Sequence, residues 1–193
     1  RLKRKYMRQI KDDPDTFSQC TDTIIRQVEE IGKMVDEFSS FARMPQATLK
    51  IENLSEICHR AVFLERNRLE EIDYQLELPD DPIYLSCDSL QISQALTNLL
   101  KNAAESVSSF REQRLCKIRC SLSQVVTNGS PLISISIHDN GAGLPEVGWE
   151  KLTEPYVTSR EGGTGLGLAI VKKIMEDHSG KIVLTNNEDG GAT

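Results

Sequence analysis

Between Phe17 and Ala42 the apolar residues of this chain recur in alternating steps of four and three, and at Pro45 the pattern stops. Phe17, Ile24, Val28, Ile31, Val35, Phe38 and Ala42, with Thr21 in the remaining slot, hold the repeat for more than three heptads. That is the period of a helix packed along another helix. Asp13 is placed to cap its start, Pro14 occupies the first helical position, where a missing N–H costs nothing, and Pro45 ends it. Leu2, Tyr6 and Ile10 also fall at four-residue steps, so residues 1–10 read as a shorter helix joined through 11–13 into an antiparallel hairpin. So short an arm leaves most of the apolar seam open, which predicts dimerisation into a four-helix bundle and a chain cut short at this end.

After Pro45 the period becomes mixed. Leu49, Ile51 and Asn53-Leu54 suggest an edge strand, and Ser55 is placed to cap a helix over 55–69. Ile72, Tyr74, Leu76 and Leu78 alternate as in a half-buried strand; Pro79 and Pro82 mark a turn before a short strand over 83–85. Asp88 or Ser89 opens a long helix with Leu90, Ala95, Leu96, Leu99, Leu100 and Ala103 inward. Strands over 116–126 and 132–138 flank the turn signal Asn128-Gly129. Residues 139–163 hold five glycines and two prolines and read as a long functional loop. A helix over 166–178 closes at Gly180, a strand follows over 181–185, and Gly190-Gly191-Ala192-Thr193 reads as the approach to another strand, so truncation is expected here too.

Composition narrows the function. The 193 residues carry 23 Lys and Arg against 29 Asp and Glu, a net charge of −6, which argues against a nucleic-acid partner because the phosphate backbone rewards positive charge. The basic cluster Arg1, Lys3, Arg4, Lys5, Arg8 and Lys11 reads as a solvated helix face. Five cysteines without a CxxC pair suggest neither a disulfide framework nor a zinc knuckle and fit a reducing compartment, with Cys116 and Cys120 as core on one strand face. His59, His138 and His178 lack metal-ligand spacing. No apolar window is long enough to span a membrane, and no signal-like start is present.

Three local features carry chemistry. Asn98 and Asn102 lie one turn apart on a strong helix, where Asn is a poor interior residue, and amide oxygens suit a hard cation such as Mg²⁺. Asp139-Asn140-Gly141-Ala142-Gly143 follows a strand directly; its glycines permit a close approach to a flat ligand and its carboxylate can accept from an exocyclic amine. Gly163-Thr164-Gly165-Leu166-Gly167-Leu168 precedes an apolar helix, and bare N–H groups at a helix start attract phosphate. It is not a Walker A loop, and its spacing misses GxGxxG by one residue.

Taken in order, these motifs resemble the ATP-binding domain of sensor histidine kinases, in the superfamily that also holds gyrase, Hsp90 and MutL. Asn98-Leu-Leu-Lys-Asn102-Ala is similar to the N box, Asp139-Asn-Gly-Ala-Gly143 to the first G box, Glu154-Pro155-Tyr156-Val157-Thr158 to the F box, and Gly163-Thr-Gly-Leu-Gly167-Leu to the second G box. The likeness covers residues 46–193, and residues 1–45 resemble the end of the dimerisation and phosphoacceptor hairpin. Residues 20–45, with Val35-Asp-Glu-Phe-Ser-Ser-Phe-Ala-Arg-Met-Pro, resemble nitrogen-regulation sensor kinases of the NtrY type.

The resemblance implies an α+β fold: a two-layer α/β sandwich of the Bergerat (GHKL) type, preceded by an antiparallel helical hairpin. It implies ATP and Mg²⁺ as cofactors, with Asn102 ligating the metal and Asn98 beside it at the phosphates. Asp139 would bind the adenine amino group, Gly141 and Gly143 would shape the pocket and the start of the lid, and Thr164, Gly165, Leu166 and Gly167 would cup the triphosphate. Arg160 would pair with a phosphate. Glu105 stands where many relatives carry a basic residue, which puts weight on Arg160 and Lys101. The implied activity is transfer of the γ-phosphoryl to a His of the chain's own dimer and then to an Asp of a response regulator receiver domain. The implied location is cytoplasmic, with room for an inner-membrane anchor upstream. The phosphoacceptor His and its base are absent, so this stretch is expected to bind ATP without autophosphorylating. A gyrase-type ATPase is the rival, but those enzymes carry Glu where Asn98 stands, and an amide is no base. A nucleotide-gated interaction module is a third reading.

Overall fold

The computed structural model describes residue 6 and residues 13–110, 115–127, 130–145, 148, 151–158, 163–188 and 190–193. The chain forms two compact units, residues 1–44 with 160–164 and residues 45–159 with 165–193. The helix expected over 1–10, apart from Tyr6, and the Asn128-Gly129 turn lie outside the described residues.

In the first unit, α1 (Pro14–Ala42) starts where the sequence places it: the Asp13 carboxylate accepts from Thr16 N–H at 3.1 Å, with Pro14 following the cap. The Thr21 hydroxyl, inside the apolar stripe, donates to Phe17 O at 2.8 Å and so is satisfied without solvent. Ile24, Val28, Ile31, Val35 and Phe38 are between 48% and 62% exposed, leaving the heptad seam open along α1. No helix among the described residues is long and apolar enough to cross a membrane.

The second unit holds two sheets and three helices. Strand β1 (Lys50–Asn53) leads into α2 (Leu54–Arg68); β2 (Asp73–Glu77) and β3 (Tyr84–Cys87) precede α3 (Ser89–Ser108); β4 (Lys117–Thr127), β5 (Ser130–Asp139) and α4 (Gly167–Asp177) complete the order. β1 pairs antiparallel with β3, while β4 lies between a parallel β2 and an antiparallel β5. β4 shows the expected alternation, with Ile118, Cys120 and Leu122 buried, and Cys116 just before it is buried on the same face. α3 is the central helix. It packs between α2 and α4 and lies against β4 and β5, burying Ile92, Ala95, Leu96, Leu100, Ala103, Ala104 and Val107.

Three local expectations are corrected. α2 is capped by Asn53, whose Oδ1 accepts from Glu56 N–H at 3.3 Å; Ser55 Oγ instead accepts from Ile83 N–H and holds the turn beside β3. Leu90 is 82% exposed, because the face of α3 that meets the core starts with Gln91 and Ile92. Residues 181–185 form no strand: no strand among the described residues pairs with them, and Thr185 and Thr193 exchange two backbone bonds, both at 2.9 Å, next to the Asn186–Ala192 bridge. α4 ends through Ser179 in the left-handed region, with Gly180 N–H donating to Met175 O at 2.7 Å.

The start of α3 is tied down by Asp88. Its Oδ1 accepts from Leu90 and Gln91 N–H at 3.0 and 3.2 Å, its Oδ2 from Thr48 N–H at 2.8 Å, and its own N–H donates to His178 Nε2 at 2.9 Å. The Thr48 N–H bond is the main reason that its carboxyl titrates below the ordinary range. Asp88→Ala is expected to lower stability by about 1 to 2 kcal/mol at neutral pH, the usual worth of an N-cap, read from urea denaturation. A depressed pKa places this contribution above the ordinary value of about 3.9, so the gap between the two proteins should close only as pH falls below it.

Candidate functional site

The asparagine pair and Gly167 of the second glycine motif, 65 or more residues apart in sequence, meet in the structure. Asn98 Nδ2 donates to Gly167 O at 3.4 Å, and a Cβ added to Gly167 would lie 3.9 Å from Asn102 Nδ2. Both amides therefore face the first turn of α4. Lys101, between them in sequence, is half-buried on the same helix. The cap position of α4 is Leu166, fully buried and without a side-chain acceptor, so no side chain at that position competes with a ligand for the amides of the first turn. Among the described residues no group of three or more His, Cys, Asp or Glu could hold a metal. A hard cation here would have to share an amide oxygen with phosphate oxygens and water, a donor set that suits Mg²⁺.

Gly165 is needed for its conformation. Its φ is +68°, and an added Cβ would lie 2.6 Å from the Tyr156 carbonyl carbon and 2.8 Å from Val157 N. Tyr156 N–H donates to Gly165 O at 3.1 Å, which ties the 154–158 motif to the second glycine motif. Thr164 groups with the first unit, where its hydroxyl donates to Glu37. Arg160 lies outside the described residues.

Asp139 ends β5 opposite Ile118, with only 6% of its surface exposed. Its Oδ1 accepts from Gly141 N–H at 2.7 Å and from the Ser106 hydroxyl at 3.2 Å. Ser106 Oγ in turn accepts from Ala142 N–H at 3.0 Å. Burial pushes the Asp139 carboxyl above its ordinary pKa, and the bonds from Gly141 and Ser106 offset part of that push. No side chain fits at Gly141, where an added Cβ would lie 2.1 Å from Ser106 Oγ. Gly143, at φ +77°, precedes Leu144, whose N–H donates to Asn186 Oδ1 at 2.6 Å.

Four residues of this site escaped the sequence reading. Ser106 sits one turn beyond Asn102, so the four-residue spacing 98, 102, 106 was an available signal. Asn187 Nδ2 donates to Asp139 O at 3.0 Å, Asn186 holds Leu144, and an added Cβ on Gly191 would lie 1.9 Å from Asp139 O. The Asn-Asn and Gly-Gly pairs near the end of the sequence were their only local mark.

The stretch of sequence that carries this site matches a known family. The model for the histidine kinase-, DNA gyrase B- and HSP90-like ATPases matches residues 87–193, a span that contains the Asn pair, Asp139 and the start of α4. The chain belongs to that family, and membership implies that it binds ATP. It is 50% identical over 194 residues to the nitrogen regulation protein NtrY of Azorhizobium caulinodans, covering 98% of this chain and 24% of that protein. It is 36% identical over 192 residues to a putative sensor histidine kinase, NtrY-like, of Rickettsia bellii, covering 100% of this chain and 30% of the relative. Among solved structures it is similar to the histidine kinase ThkA in complex with the response regulator protein TrrA, with a TM-score of 0.71 and 26% identity, over 95% of this chain and 52% of that one. The chain thus spans between about a quarter and a third of the length of these curated relatives.

The buried carboxylate gives a stability test without ligand. A raised pKa means that Asp139 favours the folded state fully below the ordinary value of about 3.9 and loses that contribution as pH rises through its folded pKa. Asp139→Asn can keep Oδ1 as an acceptor and removes the charge. Thermal melts across pH are expected to show the variant gaining on the native protein as pH rises from about 4 towards neutrality.

Proposed function

We propose that this chain is the ATP-binding catalytic region of a two-component sensor histidine kinase of the nitrogen-regulation type. Residues 1–45 belong in this reading to the dimerisation hairpin and residues 46–193 to the catalytic domain. The observation that carries it is that α3 brings Asn98 and Asn102 to Gly167 at the start of α4 and Ser106 to Asp139. Asn102 holds Mg²⁺ through its amide oxygen, with Asn98 and Lys101 beside the phosphates. Gly165, Leu166 and Gly167 present backbone N–H groups to the triphosphate, and Asp139 accepts from the adenine amino group, with Gly141 and Gly143 closing against the ring. Mg²⁺ held there would supply charge neutralisation for the phosphates. The γ-phosphoryl then goes to a His of the dimer and on to an Asp of a receiver domain. Two observations favour transfer over hydrolysis: position 98 is an amide, which cannot activate water, and the Rickettsia bellii relative is named as a putative sensor histidine kinase. The open heptad seam of α1 supports a homodimer, and the complex of ThkA with TrrA supports a response-regulator partner. The region is assigned to the cytoplasm, where ATP and receiver domains are found.

Calorimetry with ADP and Mg²⁺ is expected to show binding by the native chain. Asn102→Ala should remove the dependence on Mg²⁺, and unchanged dependence would defeat the metal assignment. Asp139→Ala should weaken adenine nucleotides by about 2 to 3 kcal/mol, the loss of a hydrogen bond to a charged group in a buried pocket. ATP should be preferred to GTP, and equal affinity would contradict the role of Asp139. The complete polypeptide that carries this chain should form acid-labile phosphate on His when given labelled ATP. Steady hydrolysis without such phosphate would favour the ATPase reading.

A further inference from the structure

Ser106 sits between helix α3 and the turn that follows β5, and the direction of its hydrogen bonds is fixed by its partners. Ala142 N–H can only donate, so Ser106 Oγ is the acceptor of that 3.0 Å bond. The single hydroxyl proton is then committed to Asp139 Oδ1, 3.2 Å away. Gly141 N–H, at 2.7 Å, donates to the same oxygen. Two donors on Oδ1 exclude a proton from that oxygen and prevent the carboxylate from turning without losing both bonds. The absence of a side chain at Gly141, where a Cβ would lie 2.1 Å from Ser106 Oγ, is what lets the turn come this close to α3.

We propose that Ser106 is a positioning residue that sets nucleobase specificity: it holds Asp139 as an oriented acceptor, so that Oδ2 faces the ligand and selects purines bearing an exocyclic 6-amino group. The inference rests on the reading of Asp139 as the adenine contact and assigns to a second residue the orientation that this contact requires. Ser106 itself touches no ligand in this scheme. The raised pKa of Asp139 agrees with it, because a buried carboxylate needs donors to stay ionised, and Ser106 is one of the groups that oppose the shift.

The test compares two nucleotides that differ only at the amino group: ADP and the diphosphate of purine riboside, which has hydrogen at position 6. Binding of each, with Mg²⁺, is measured by calorimetry for the native chain and for Ser106→Ala. The native chain should prefer ADP by about tenfold or more, the scale of one hydrogen bond to a charged group. Ser106→Ala should lose most of that preference by weakening ADP about tenfold, while the desamino analogue stays within about twofold of its native affinity. Equal weakening of both nucleotides, or an unchanged preference, would overturn the proposal, since a merely structural serine cannot distinguish them. If the native chain binds both nucleotides alike, the reading of Asp139 fails first and takes this inference with it. A pH series supplies an independent readout: without the Ser106 donor, Asp139 should take up a proton at higher pH, so the acidic decline in ADP affinity should begin at higher pH than in the native chain. Coincident pH profiles would also refute the role.

Discussion

Helix α3 packs between α2 and α4 and against β4 and β5, and its position relative to those neighbours is the constraint on which the site depends. One face is buried through Ile92, Ala95, Leu96, Leu100, Ala103, Ala104 and Val107, of which the Ile, Leu and Val side chains are each worth a transfer free energy of about 1.5 to 3 kcal/mol. The flank beside it carries Asn98, Asn102 and Ser106 at four-residue steps, roughly 6 Å apart along the axis at 1.5 Å per residue. Asn98 and Asn102 meet the first turn of α4, and Ser106 meets the end of β5. The two halves of the candidate site are thereby placed along one rigid element, and their spacing follows from helix geometry rather than from the loops.

The same region carries the features that a sequence selected for stability alone would avoid. Two asparagines in a helix interior give up helix propensity, and Asp139 is a buried carboxylate whose Oδ1 is held by two neutral donors, Gly141 N–H and the Ser106 hydroxyl. Gly141, Gly165 and Gly191 sit where a side chain would collide with backbone or with Ser106. Each feature is accounted for by the ligand proposed for the site, which brings an amine, phosphates and a cation. The same unit has a well-filled core, in which Leu54, Leu100, Ile118, Leu166 and Ile174 are fully buried.

The first unit obeys a different logic. α1 needs no ligand to explain its composition, since its cap, its proline start and its heptad stripe are all local helix chemistry. Its exposed stripe of Ile24, Val28, Ile31, Val35 and Phe38 is unusual for an isolated helix and suits packing against other helices. The relatives that match nearly the whole of this chain are themselves several times longer than it.

The sequence by itself determined the start and end of α1, the order of helices and strands, the alternation of β4 and the motif residues Asn98, Asn102, Asp139 and Gly167. These are written in periods of 2 and 3.6, in caps and in glycine spacing, all of which act between near neighbours. Only the tertiary structure decided that Asn53 rather than Ser55 caps α2, that Leu90 faces outward and that 181–184 pairs with no strand. It also brought Ser106, Asn186, Asn187 and Gly191 around Asp139 and its turn, across separations of 33 or more residues. Those contacts depend on how α3, β5 and the 185–193 segment pack against one another, and no local pattern in a single chain encodes that packing.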